Sequence, residues 1–194
     1  MQTIDLFYDN DLTSLFDARK MDVLSYIKLL PAKKFEPEYI EKETKKLRSE
    51  NFIKLPRIHF DRQEVHRSSQ SVFNNPDIKP KSDTTNKAFL FITIPYSGSL
   101  DVLQYAPSGM DILPFEAFFH DQDKGVFVKE ITLDDEKKAD LFSEEIRLFE
   151  VYFKKLTKVI WEQNDLLDDF IADEIRKRSQ YIQGNKDFVN GINQ

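Results

Sequence analysis

The chain reads as an α+β protein with N-terminal helices, a small, mainly antiparallel sheet, and a long C-terminal helix of coiled-coil character. Three observations predict this. Apolar residues recur at helical spacing through residues 1–50, and short β-type runs separated by turn residues occupy 52–133. From Val126 to Gln183 there is no Gly or Pro at all. The implied organisation is an α+β globular part over 1–133, with helices in 1–50 and strands in 52–133, followed by a long helix and tail over 134–194.

Asp11 is placed to cap a helix carrying Leu12, Leu15 and Phe16. A second apolar pattern at Val23, Leu24, Ile27 and Leu30 is closed by Pro31. Glu36-Pro37 opens another helix, with Pro at its first position, reaching about Glu50. Its stripe of Tyr39, Ile40 and Leu47 is thin, which predicts a surface helix. Ile53, Leu55, Ile58 and Phe60, interrupted by Pro56, suggest an edge strand, and a weaker strand includes Val65. Asn74 to Asn86 reads as a loop or short linker.

Ala88 to Pro95 is apolar on both faces, which predicts a central, buried strand. Phe115–His120 and Val126–Leu133 form a hairpin turned through Asp121 to Gly125. Between the strand and the hairpin, Tyr96 to Pro114 is a loop punctuated by Gly98, Pro107, Gly109 and Pro114.

The long helix is expected from Asp134 to Ile182, with Thr132 and Asp134 as caps and Gly184 as the stop. Phe142, Ile146, Phe149, Phe153, Leu156, Ile160, Gln163, Leu167 and Phe170 follow alternating steps of four and three, a heptad seam. Leu148, Tyr152, Val159 and Leu166 widen it into a face suited to a globular core as well. A protein partner, self or heterologous, is expected to cover Phe149, Phe153, Leu156, Ile160, Leu167 and Phe170. Two alternatives are a kink at Gln163-Asn164-Asp165 and an internal bundle with the N-terminal helices.

Composition excludes several classes. Without Cys, the chain can form no disulfide, thiolate metal site or cysteine nucleophile. A net charge of −6 argues against a protein that wraps duplex nucleic acid, whose affinity comes from neutralising phosphates. No apolar run approaches the ~20 residues that a membrane helix needs. The acidic start lacks the pattern of a signal peptide, so a cytoplasmic protein without a cofactor is expected. Seventeen Phe against three Met and one Trp predict a core filled with phenyl rings.

Candidate chemistry is sparse. His59 and Asp61, which would share a strand face, together with His66 and His120 could form a metal site for water activation in a hydrolase or nuclease. They match no metal-binding spacing, so no metal is assigned. Ser97-Gly98-Ser99 with Asp101 follows the central strand but lacks the flanking residues of a nucleophile elbow or phosphate loop. Arg176, Lys177 and Arg178 suit a helix C-terminus, and could also meet phosphate, an acidic partner or nucleic acid.

Ile94-Pro95-Tyr96-Ser97-Gly98, followed by Ala106-Pro107-Ser108, resembles a segment of uncharacterised bacterial proteins found near phage-defence and mobile-element genes. The resemblance covers residues 50–180, where a hairpin and a long helix with a basic end likewise follow. It implies a component of such a system and no catalytic residue. Together these readings predict a non-catalytic adaptor or regulatory subunit that assembles through its C-terminal helix.

Overall fold

The computed structural model describes residues 2–4, 6–7, 10–68, 89–106, 118–122, 124–132 and 136–192. The fold is α+β: N-terminal helices, a small antiparallel sheet and a long C-terminal helix. The expected linker from Asn74 to Asn86, the cap Asp134, and the part of the Tyr96–Pro114 loop beyond Ala106 lie outside the described residues, while Thr132, the other expected cap, is the last residue of a strand.

Helix α1 spans Leu12–Leu29, joining in one element the two apolar patterns of the sequence. Asp11 is its cap, the carboxylate accepting from the Thr13 N–H at 3.0 Å. Leu30, extended ahead of Pro31, ends it. Helix α2 spans Pro37–Asn51 with Pro37 in its first turn. Helix α3 runs unbroken from Glu136 to Ile192, with no interruption at Gln163-Asn164-Asp165. It also passes through Gly184, the expected stop. A Cβ at Gly184 would meet nothing within 4 Å. Glycine ends a helix by taking a positive φ, and among the described glycines only Gly98 and Gly125 do so. Left helical, Gly184 costs only about 1 kcal/mol against Ala.

The chain divides into two compact units, and the boundary expected at 133/134 does not separate them. The first comprises Met1–Asn10 and Lys54–Thr157, the second Asp11–Ile53 and Lys158–Gln194. Each unit therefore includes part of α3.

The first unit holds a six-stranded sheet of β1 (Gln2–Ile4), β2 (Arg57–Ile58), β3 (Glu64–Ser68), β4 (Phe89–Ser97), β5 (Phe118–Asp121) and β6 (Val126–Thr132). The order is β1-β5-β6-β4-β2, and β3 also pairs with β4, beside β2. All pairings are antiparallel. β4 is central, as its apolarity on both faces predicts: Phe89 to Pro95 pair with Thr132 to Val126, and Phe89 to Thr93 with Ser68 to Glu64. The β5–β6 hairpin turns through Gly125 at φ 61°, where a Cβ would stand 3.0 Å from the Tyr96 carbonyl oxygen. The strand expected over Ile53–Phe60 reduces to Arg57–Ile58, because Phe60–Arg62 turns as a 3-10 helix.

The core of this unit sets a cluster of aromatic rings among aliphatic residues such as Ile94, Leu103, Val128 and Leu156. Phe149 of α3 lies 5.3 Å from Phe60, 5.5 Å from Phe127 and 6.3 Å from Phe7, ring centre to ring centre. Phe7 sits at φ 55°, its N–H donating to the Leu103 carbonyl at 2.7 Å and its ring buried beside Tyr152. Among the described residues of this unit a charge is also buried: the Lys129 ammonium of β6 meets Glu145 of α3 at 2.8 Å.

The second unit packs α1, the 3-10 turn Ala32–Phe35, α2 and α3 from Lys158 onward. Its buried side chains include Phe16, Val23, Ile27, Leu47, Ile160, Leu167 and Ile171. Arg48 of α2 pairs with Asp168 of α3. Helix α2 is more enclosed than its thin stripe predicts, because Glu43 is buried in a polar network. Its carboxylate accepts from Lys34 Nζ at 2.6 Å and from the Tyr26 hydroxyl at 2.9 Å. The Lys34 hydrogen bond holds the Glu43 carboxyl below the usual carboxylate range against the opposing cost of burial. Among the described residues no helix is long and apolar enough to cross a membrane.

Candidate interaction surface

The heptad seam is the first place to look for a partner, and most of it is already covered. Phe149, Leu156, Ile160 and Leu167 have no exposed area, while Phe153 and Phe170 are half-buried. In the first unit, Phe149 and Phe153 pack on Phe60. In the second, Ile160 and Leu167 belong to the buried set that includes residues of α1 and α2. This corrects the expected interface: those four side chains offer nothing to a partner, and the internal bundle is the arrangement found. The physical reason is that covering the seam within one chain avoids the translational and rotational cost of association. Phe142 begins the seam in sequence, but its side chain lies outside the described residues.

What remains accessible in the second unit is a row that combines Val159 and Leu166 of the flanking set with Gln163 and Phe170 of the seam. Val159, Gln163 and Phe170 are half-buried, and Leu166 between them is 54% exposed. Their steps of four, three and four keep them along one side of α3. The single Trp161, 65% exposed, lies elsewhere on the helix surface.

The basic cluster expected at a helix C-terminus lies inside α3, which continues to Ile192, and it is largely self-neutralised. Arg176 pairs with Asp173 at 2.7 Å and Lys177 with Glu174 at 2.6 Å, while Arg178 lies over the Tyr181 ring. The Glu174 hydrogen bond raises the Lys177 ammonium above its ordinary pKa.

The histidines do not gather. His59 precedes the 3-10 turn that contains Asp61, so the two share no strand face, and its N–H donates to the Pro95 carbonyl at 2.8 Å. His66 stacks on Phe91 at 5.0 Å, with Nε2 3.4 Å from Glu64. His120 lies on β5 opposite Phe127, and its side chain is outside the described residues. Among the described residues no three His or carboxylate groups are placed to hold a metal ion.

Ser97-Gly98-Ser99 is a local turn. Gly98 sits at φ 96°, and the Ser99 hydroxyl donates to the Asp101 carboxylate at 2.6 Å while accepting from the Asp101 N–H. That closes an Asp101–Ser99 loop and leaves the hydroxyl engaged as a donor.

Sequence reasoning missed one concavity. In the first unit a groove of about 170 Å³ runs between the β3 edge and α3, lined by Gln63, Val65, Leu90, Ile92, Ser143 and Ile146. The available signal was Val65, a lone aliphatic residue in a weak strand.

Comparison of the chain with protein-family models, curated proteins and solved structures found no match.

Proposed function

We propose that the chain is a non-catalytic interaction subunit, an adaptor or regulator that docks an amphipathic partner helix on α3. The observation that carries this reading is the exposure of Leu166 midway along the row Val159, Gln163, Leu166, Phe170. Isolated exposed leucines are ordinary surface residues. Here the neighbours along the row are apolar or amide, and the four–three–four spacing matches the knobs that a second helix accepts. The occupant is accordingly a helix. Gln163 within the row gives the pairing a polar register mark.

The setting of this reading is the bacterial cytoplasm, in a phage-defence or mobile-element system. That part rests on the resemblance carried by Ile94 to Gly98 and Ala106 to Ser108 and on the absence of cysteine.

The test is the mass in solution by light scattering on a sizing column, at several concentrations, alone and after co-purification from the native host. A monomer is 22.9 kDa. The expected result is a larger species that Leu166→Glu dissolves and Trp161→Lys preserves, since Trp161 lies about 140° round the helix from Leu166. Assembly indifferent to Leu166→Glu, or a monomer with no specific partner under any condition, would overturn the reading.

A further inference from the structure

We propose, resting on that helix-docking reading, that the helix received by α3 is basic and belongs to a different protein, with Lys or Arg bordering its apolar knobs. Two observations within the second unit carry this: where the cations of α3 stop, and on which side of the exposed row its acids stand.

Between Lys158 and Arg176 the helix has no Lys or Arg, while Glu162, Asp165, Asp168, Asp169, Asp173 and Glu174 all fall in that interval. Solvated helix faces ordinarily mix the two signs at spacings of three and four. Earlier in α3 this is the arrangement, with Arg147 on Glu144 and Lys154 on Glu150. Inside the interval, Asp168 is answered by Arg48 of α2, and the flanking cations serve its two ends. Lys158 lies 3.8 Å from Glu162, while Arg176 and Lys177 hold Asp173 and Glu174. Asp165 and Asp169 are exposed and have no ion pair among the described residues.

The charge also has a direction. Val159 and Gln163 stand seven and three residues before Leu166, and Phe170 four after it. At ~100° per residue this places them about 20–60° to one side of Leu166. Glu162 stands four residues before Leu166, with Asp169 three and Asp173 seven after it. Those three lie about 20–60° to the other side, away from the buried Ile160 and Leu167. The exposed row is therefore bordered by carboxylates along its solvent side, with Asp165 next to them. In a helix pair, residues bordering the knobs of one helix meet those bordering the knobs of the other, and their charges set partner choice. Cations on the incoming helix complement this border. A second copy of the chain would bring the same carboxylates, and like charges facing across an interface disfavour that pairing.

The test uses the full chain and three synthetic helical peptides that share one heptad seam of Leu and carry Lys, Gln or Glu at the positions bordering it. At low salt the expected order of affinity is Lys, then Gln, then Glu. The Lys peptide should bind about five-fold tighter than the Gln peptide, the scale of a few partly exposed ion pairs. Added salt should close that gap. Asp165→Asn combined with Asp169→Asn should bring the Lys peptide down to the Gln peptide and leave the Gln peptide unchanged. Glu41→Gln combined with Glu50→Gln, the same change of charge on exposed positions of α2, should leave the order intact. Leu166→Glu should release the Gln peptide, which reports the apolar docking alone. Equal binding of the three peptides, or a Lys preference that survives in the Asp165 and Asp169 variant, would overturn the basic partner while the docking surface stands. A dimer of the isolated chain that Leu166→Glu dissolves would do the same. No binding of any peptide, or Gln-peptide binding indifferent to Leu166→Glu, would overturn the docking reading and the basic partner with it.

Discussion

The side-chain amide of Asn164 is bonded to both polar backbone groups of Ile53. Its Oδ1 accepts from the Ile53 N–H at 3.0 Å, and its Nδ2 donates to the Ile53 carbonyl at 3.0 Å. Ile53 lies just beyond α2, where the chain has left the helix and its backbone groups need new partners. An amide bonded to the N–H and C=O of one residue reproduces the pairing that a neighbouring strand would give. Asn164 thereby fastens the end of α2 to α3 within the second unit.

Removing that pairing leaves two partly buried backbone groups unsatisfied. Asn164→Ala is expected to destabilise the protein by about 2 kcal/mol, on the scale of two lost hydrogen bonds. Asn164→Asp keeps the acceptor and loses the donor, so it should fall between wild type and Ala. Urea unfolding curves check the order; equal midpoints for all three proteins would show that the contact contributes nothing.

Acid should loosen the second unit through Glu43. Its folded pKa is depressed, chiefly by the Lys34 hydrogen bond and further by the Tyr26 hydroxyl. A depressed carboxylate contributes stability that is fully present above the unfolded value of 4.5 and is lost as pH falls through the folded value. Stability measured by denaturant at stepped pH should therefore decline below about pH 4.5. In Glu43→Gln that portion of the decline should vanish, at a cost near neutral pH of about 2 kcal/mol for the weakened charged hydrogen bonds. An unchanged pH profile in the variant would count against this role.

Two adjacent rows of α3 should answer mutation differently. Ile160→Ala and Leu167→Ala each empty a fully buried site and are expected to cost about 2–5 kcal/mol. Leu166→Glu sits at the surface and should change stability by no more than about 0.5 kcal/mol. Thermal unfolding of the monomeric protein separates the two cases. Comparable losses at Leu166 and Leu167 would contradict the assigned orientation of the helix.

Trp161 is the chain's single tryptophan, so its fluorescence reports one site. At 65% exposure the emission should be that of an indole in water, and iodide should quench it efficiently. A blue-shifted, protected emission in the isolated protein would mean that another surface covers this part of α3.

Local signals were legible in the sequence. Asp11, Pro37 and Gly125 marked element ends through their own backbone requirements, and the two-faced apolarity of Phe89 to Ile94 marked the central strand. Long-range choices were not. Gln2–Ile4 is a strand through its backbone pairing with His120 to Phe118, which three residues of local composition do not encode. The seam of α3 reveals an apolar face without revealing what covers it: the pattern suits a partner as well as the chain's own helices, and Ile160 and Leu167 are buried in their own chain. Asn164 stood out only as a polar interruption, because its significance depends on Ile53, 111 residues away. His59 and Asp61 were separated from a shared face by one 3-10 turn, a shift of phase that alternation alone does not signal.

The burial of Lys129 has a consequence for how α3 finds its place on the sheet. An apolar helix face could slide along an apolar sheet through many positions of nearly equal energy. The ammonium of Lys129, pinned at 2.8 Å to Glu145, removes that degeneracy. Moving α3 by one turn carries Glu145 about 5.4 Å away and breaks the ion pair of a buried cation, at a cost of several kcal/mol. The pair adds little net attraction once desolvation is counted. Its effect is selective: among the many collapsed arrangements open to a phenyl-rich core, it singles out the one that seats the charge.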